Sequence, residues 1–220
     1  MSSMNKSRGV FIVFEGGEGA GKSVQASLLS NRLREQGLPV IITREPGGTR
    51  IGEQIRAITH DTENVDLDAK TESYLMAAAR AQHVVEIIEP ALTDGHIVIC
   101  DRYVDSSIAY QGYGRKLGEE TIRTLNQLAL NGAVPNITIL LDFSPEEGLK
   151  RRLTSTKKTD RLDLQDKEFY ERVHEGYLHL AKEHPNQYVV IDAKKSIDEI
   201  SGAIWETLKD ILQKQYGNNH

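Results

Sequence analysis

The stretch FEGGEGAGKS, residues 14–23, limits this chain more than any other. Gly16 is followed, after four residues, by Gly21-Lys22-Ser23, the full spacing of a phosphate-binding loop. An apolar run, VFIVFE (10–15), leads into it, and a helical stripe beginning with Leu28, Leu29 and Leu33 follows. A strand that turns through glycines into a helix lets backbone N–H groups converge on an anion at the helix N-terminus. Gly16, Gly17, Glu18, Gly19, Ala20, Gly21, Lys22 and Ser23 are therefore expected around the phosphates of a nucleotide. Lys22 is expected to reach the β- and γ-phosphates, and the Ser23 hydroxyl to help hold Mg²⁺. Glu18 is the anomaly: a carboxylate in an anion cradle that has no arginine of its own.

Four further Val/Ile-rich runs occur at 39–43, 96–101, 137–142 and 188–192. Near-continuous apolar runs suit strands buried on both faces. Helical stripes alternate with them, including Ile51/Ile55/Ile58, Leu125/Leu128/Leu130 and Ile197/Ile200/Ile204/Leu208/Ile211, and read as core contacts. The pattern predicts a parallel α/β sheet with helices on both faces and active residues at the carboxyl ends of the strands. No linker divides the chain, so residues 9–214 read as one domain, with 1–8 and 215–220 as frayed ends. A polar, basic segment lies at 151–163.

The net charge of −5 argues against a general nucleic-acid binder, which needs a basic face. No apolar run reaches the ~20 residues of a membrane helix, and no signal-peptide core opens the chain. The lone Cys100 allows no internal disulfide and reads as an inert core thiol. These features predict a cytoplasmic protein. His174, His179 and His184 are spaced by five, which does not make one helix face, so they read as surface residues.

Asp101 ends the third run, where an acid can orient a magnesium shell, and Arg102 follows, where its planar fork can clamp a phosphate. Arg44, Arg56, Arg80 and Arg102 together suggest a second anion pocket facing the glycine loop. An Asn-Lys-x-Asp element is absent from the sequence, which argues against a switch GTPase.

FIVFEGGEGAGKS, TREPGGT, AAARAQH, DRYVDSSIAYQG and the basic segment before DRLD together resemble the bacterial thymidylate kinase family, over roughly residues 9 to 210. The resemblance implies a three-layer P-loop kinase fold with a five-stranded parallel sheet, a mobile lid at about 152–163, and a homodimer built by helix packing. It implies direct transfer of the γ-phosphoryl of ATP to dTMP with Mg²⁺. On the acceptor side it puts Arg102 and Arg56 on the dTMP phosphate, with Glu45 and Pro46 in the loop closing beside it. Arg80 would meet the thymine carbonyl, and Ser107 and Gln111 the base edge. Tyr110 would pack under the deoxyribose, and Glu18 would face its 3′-hydroxyl rather than the ATP phosphates. The missing cation then comes from the lid: Arg152, Lys157, Lys158 or Arg161, with Arg161 the first choice. The family's usual base-stacking Phe is Met76 here, a thioether that either covers the base less rigidly or fills the core.

The acceptor would be a phosphate monoester, already largely anionic at neutral pH because its second ionisation lies near ~6. The chemistry then needs charge neutralisation by Lys22, Arg102, Arg161 and the metal shell of Asp101 and Ser23, not a strong base. A kinase for another nucleoside monophosphate or a deoxynucleoside is the alternative, and a non-catalytic nucleotide-binding module is the second.

Overall fold

The structure is a computed structural model that describes residues 7–155 and 159–217. Five strands form one parallel sheet: β1 (Phe11–Glu15), β2 (Val40–Arg44), β3 (Ile97–Asp101), β4 (Ile137–Asp142) and β5 (Tyr188–Asp192). Their order is β2-β3-β1-β4-β5. The central β1 is buried along its whole length, which is why its sequence is apolar without alternation. The edge strands β2 and β5 each expose residues, Ile42 and Val190 among them. Phe14 pairs with Asp101, so the strand ends that carry the glycine loop and the Asp101-Arg102 pair are direct neighbours.

The helices are α1 (Lys22–Glu35), α2 (Arg50–His60), α3 (Ala69–His83), α4 (Glu89–Thr93), α5 (Val104–Ser107), α6 (Glu119–Leu130), α7 (Pro145–Ser155), α8 (Lys167–Glu183) and α9 (Ile197–Tyr216). A π-helical turn, Val84–Ile88, joins α3 to α4, and another, Ile108–Gly114, follows α5. Leu29 and Leu33 of α1 and Ile200, Ile204 and Leu208 of α9 bury against one sheet face with Phe14 and Ile139. Val13, Val98, Val84, Ile88 and Leu92 fill the other face. Each such side chain contributes about 1.5–3 kcal/mol on burial. A further apolar cluster packs α8 against the second π-helical turn, through Phe169, Val173 and Tyr177 with Ile108 and Tyr110. Side chains close the helix starts: Thr49 accepts from the Gly52 N–H, Asp166 from Phe169, and Ser196 with Glu199 forms a capping box.

Two points differ from the sequence reading. Ile58, Leu128 and Ile197 are exposed rather than buried. α2 and α6 both pack against α3, so parts of their apolar stripes face outward. The described residues include Arg8, Gln215 and Tyr216, from the stretches read as frayed ends. Arg8 forms an ion pair with Glu89, Gln215 donates to the Arg8 carbonyl, and the Tyr216 hydroxyl donates to the Gly95 carbonyl. Last, His174 is only half-exposed and bonds Asp142 at 2.7 Å. Cys100 is buried as expected, with burial pushing its thiol pKa well up. Among the described residues, no helix is long and apolar enough to cross a membrane.

Candidate active site

The glycine loop joins β1 to α1. Gly16 has φ 139° and Gly19 has φ 68°, conformations that side chains disfavour. A Cβ on Gly16 would lie 2.5 Å from the Leu141 carbonyl oxygen, and one on Gly19 would lie 2.1 Å from that of Gly148 in α7. The loop is thus glycine both for its turns and for its close seat on β4 and α7. Lys22 folds over it, its Nζ donating to the carbonyls of Gly16 (3.0 Å) and Gly17 (2.7 Å). Burial and the neighbouring Arg102 push the Lys22 pKa down to about 8, against the pull of Asp101, Glu18 and Glu15. The Ser23 hydroxyl donates to Asp101 Oδ2, bringing the two expected metal-shell residues together.

Arg102 occupies the left-handed region, φ 71°, a conformation that costs a non-glycine residue about 1–2 kcal/mol. Five side-chain bonds hold it there. Nη1 donates to the Gly16 carbonyl, Ser106 Oγ and Tyr177 Oη; Nη2 donates to Glu18 Oε1 at 2.7 Å and Tyr110 Oη at 3.1 Å. Glu18 also accepts from the Tyr110 hydroxyl at 2.9 Å, and its Oε2 lies 3.5 Å from Arg152 Nη1. Burial pushes the Glu18 carboxyl up, but Arg102, Lys22, Arg152 and Tyr110 outweigh it and hold the pKa at about 2.

Behind Arg102 lies Glu15, fully buried. Its oxygens accept from the backbone N–H groups of Tyr103 and Ser106 and from the hydroxyls of Ser106 and Tyr177. Burial, then Asp105, push its pKa up to about 7.

One cleft of about 630 Å³ gathers most of these groups. Glu18, Gly19, Gly21, Lys22, Ser23 and Asp101 line it on the loop side, and Arg152 and Asp160 on the side of the basic segment. Glu45, Pro46, Arg56, Met76, Arg80, Arg102, Ser107, Tyr110 and Gln111 line the rest. Arg56 Nη1 donates to the Pro46 carbonyl at 3.0 Å, across a loop whose Glu45–Pro46 peptide is cis. Arg80 is almost fully engaged: with Glu45 (2.8 Å), Asn126, the Tyr103 carbonyl (3.1 Å) and Ser107 (3.0 Å).

Arg161, the first choice for the lid cation, is placed elsewhere. It is buried, with Nε donating to the Thr59 carbonyl and Nη2 to Glu72, and it is not in the cleft wall. Its own backbone N–H bonds the His60 carbonyl, which ties this segment to the end of α2. Among the described residues, Arg152, held by Asp160 and Asp163, is the basic-segment residue that reaches Glu18. Lys157 and Lys158 lie outside the described residues.

The thymidylate kinase family model matches residues 14–204. The chain belongs to the thymidylate kinase family. It is similar, at 48% identity over 209 residues, to a thymidylate kinase of Pediococcus pentosaceus, covering 93% of this chain and 99% of that one. It is similar, at 44% over 211 residues, to one of Geobacillus thermodenitrificans, covering 96% and 92%. A crystal structure of thymidylate kinase from Ehrlichia chaffeensis matches with a TM-score of 0.75 at 34% identity, covering 92% of this chain and 99% of that one. The family and fold expected from the motifs are thereby borne out.

Several residues in or behind this thymidylate kinase cleft escaped the sequence reading. Glu15 was hidden as the last residue of an apolar strand, and Ser106 and Tyr177 meet it from distant segments. His60 lines the cleft four residues after Arg56, one helical turn further on. Burial, then Arg56, push its pKa down to about 3 despite Glu18. Only the spacing from Arg56 could have pointed to it.

Proposed function

We propose that the protein transfers the γ-phosphoryl group of ATP directly to dTMP, giving dTDP and ADP. One observation carries the reading. A complete phosphate-binding loop and a second arginine-lined pocket open into the same cleft from adjacent strands. Each half of the transfer needs one of them.

Lys22 leaves its carbonyl partners to meet the donor phosphates. Arg102 and Arg56 hold the acceptor phosphate, and Arg152 is the basic-segment cation that meets charge on the transferred group, in place of Arg161. Glu18, ionised at any physiological pH, accepts hydrogen bonds and faces the acceptor sugar 3′-hydroxyl while orienting Arg102. Tyr110 packs under that sugar. Asp101 and Ser23 fit a hard, oxygen-seeking cation. Among the described residues no cluster of three metal-ligating side chains exists, so such a cation would draw its other ligands from phosphate and water, as Mg²⁺ does. Bound there, it would neutralise charge shared between donor oxygens. No side chain need remove a proton, because the acceptor oxygen is already anionic. The protein acts in the cytoplasm and as a homodimer. Exposed Ile58, Tyr74 and Leu128 on α2, α3 and α6 support the pairing.

The test is an acceptor panel: dTMP, dUMP, AMP, CMP and thymidine, each with ATP and Mg²⁺, following ADP release and the diphosphate formed. dTDP is the expected product. A strong preference for AMP, or ADP release without any phosphorylated acceptor, would overturn the reading.

A further inference from the structure

Behind the acceptor side of the cleft, in contact with its lining residue Gln111, lies a buried carboxylate that no step above uses. Glu72, in α3, is fully buried. Its Oε2 pairs with Arg161 Nη2 and lies 3.2 Å from Arg115 Nη2. Its Oε1 accepts from Gln111 Nε2 at 2.6 Å. The Arg161 hydrogen bond thus holds the carboxylate, with the Arg115 charge beside it, and the carboxylate holds the amide. A carboxylate between cations can only accept, so the Gln111 NH₂ must face it. Turning the amide over would set two oxygens against each other.

What Gln111 has left for a ligand follows. Its Oε1 is buried with no partner among the described residues. A buried acceptor left in this state is costly, and it calls for an N–H. Ser107 has the opposite polarity. Its Oγ accepts from Arg80 Nη2 at 3.0 Å and makes no other bond among the described residues, which leaves its hydroxyl hydrogen to donate. Both residues line the cleft.

We infer that Glu72 is a positioning residue for base selection. By locking the Gln111 amide it offers the base edge an acceptor at Gln111 Oε1 together with a donor at Ser107, the complement of an imide N–H beside a carbonyl. A 4-aminopyrimidine carries the reverse: its ring nitrogen sets a lone pair against Gln111 Oε1, while the Ser107 hydroxyl, with one lone pair spare, can turn to accept the amino group, so the rejection rests on Gln111. This rests on the reading of the cleft as a thymidylate site. It also explains why Arg161 is withdrawn from the phosphates: it is the counter-charge that holds Glu72.

The discriminating probe is 5-methyl-dCMP, which differs from dTMP only along this edge. Full-length wild-type protein is assayed with each nucleotide, ATP and Mg²⁺, and the two diphosphate products are quantified. Sites built to hydrogen-bond a substrate reject the mismatched analogue by about 10⁴-fold or more, and that preference is expected here. Glu72→Gln lets the Gln111 amide turn either way, so the ratio of the two kcat/KM values should fall by about tenfold or more. Since that change leaves Arg161 short of a counter-charge, Glu72→Met combined with Arg161→Met is measured alongside it, removing both charges together. Gln111→Met, which deletes the acceptor itself, should lower the ratio similarly. A purely structural Glu72 would depress both substrates by one common factor. An unchanged ratio in any folded variant overturns the inference. Wild-type protein that uses both nucleotides equally overturns it too, yet leaves the kinase reading intact. Wild-type protein that phosphorylates neither would sink the kinase reading instead.

Discussion

Replacing Glu18 by Gln removes one negative charge from the middle of the cleft and keeps the shape. The carboxyl is held at about pKa 2 against an ordinary 4.5. That difference corresponds to about 3 kcal/mol of preference for the charged form in the folded state. The side chain is 14% exposed, so solvent screens little of it. Gln can still accept from Arg102 and Tyr110, which returns part of the loss. Near pH 7 the variant should therefore be about 2–3 kcal/mol less stable than wild type. The sign with pH follows from a depressed carboxylate. The contribution is complete above the unfolded value and is lost as pH falls toward the folded one. Wild type loses it and Glu18→Gln has none to lose, so the gap between them should close to about half by pH ~3. Urea unfolding followed by circular dichroism, at steps from about pH 7 to pH 3, reads both quantities; His60 titrates in both proteins and largely cancels. A gap under about 1 kcal/mol near neutrality, or one that stays constant into acid, would refute the claim that Glu18 is charged and clasped by cations. The kinetic counterpart uses 3′-deoxythymidine monophosphate. If Glu18 serves the sugar hydroxyl, the variant's loss in kcat/KM should shrink with that acceptor.

Arg152→Ala should lower kcat and also cost stability, because Asp163, 2% exposed, loses its guanidinium partner, and Arg161→Ala should cost about 3–5 kcal/mol by leaving Glu72 short of its counter-charge; turnover numbers of the folded proteins, beside unfolding curves, should show the kcat loss for Arg152→Ala alone. Glu15 titrates in the opposite sense to Glu18. Its raised carboxyl contributes stability that is complete below about pH 4.5 and lost as pH rises through about 7, so Glu15→Gln should gain about 3 kcal/mol on wild type across that window in thermal or urea unfolding. Arg102→Lys keeps the charge but loses the fork that spans five acceptors, and should lower kcat/KM for dTMP by about a hundredfold or more, seen in the coupled ADP assay.

Much of this molecule can be read from its residues because its signals are local. Strands buried on both faces write themselves as Val/Ile runs, and the limits of β4 and β5 match those runs. Gly16 to Ser23 is legible because loop chemistry allows few residue types. The order of the strands is not local, and neither are the partners of long side chains. Arg152 and Arg161 sit in one basic segment with the same charge, yet one reaches Glu18 and the other is drawn to Glu72, 89 positions away in sequence. Glu15 and Tyr177 meet across 162 positions, which no periodicity announces. The outward-facing Leu128 misled for a related reason: a stripe tells that a helix has an apolar side, not what covers it.

The glycine loop grows from β1, and Arg102 follows directly on β3. These strands are nearest neighbours in a rigid hydrogen-bonded ladder, Phe14 abreast of Asp101. Their separation is a property of the peptide backbone, about 4.8 Å in any sheet. The glycine loop and Arg102 therefore start from points whose spacing no side-chain substitution alters. Substitutions on either side can change what the cleft holds while those two starting points stay in register.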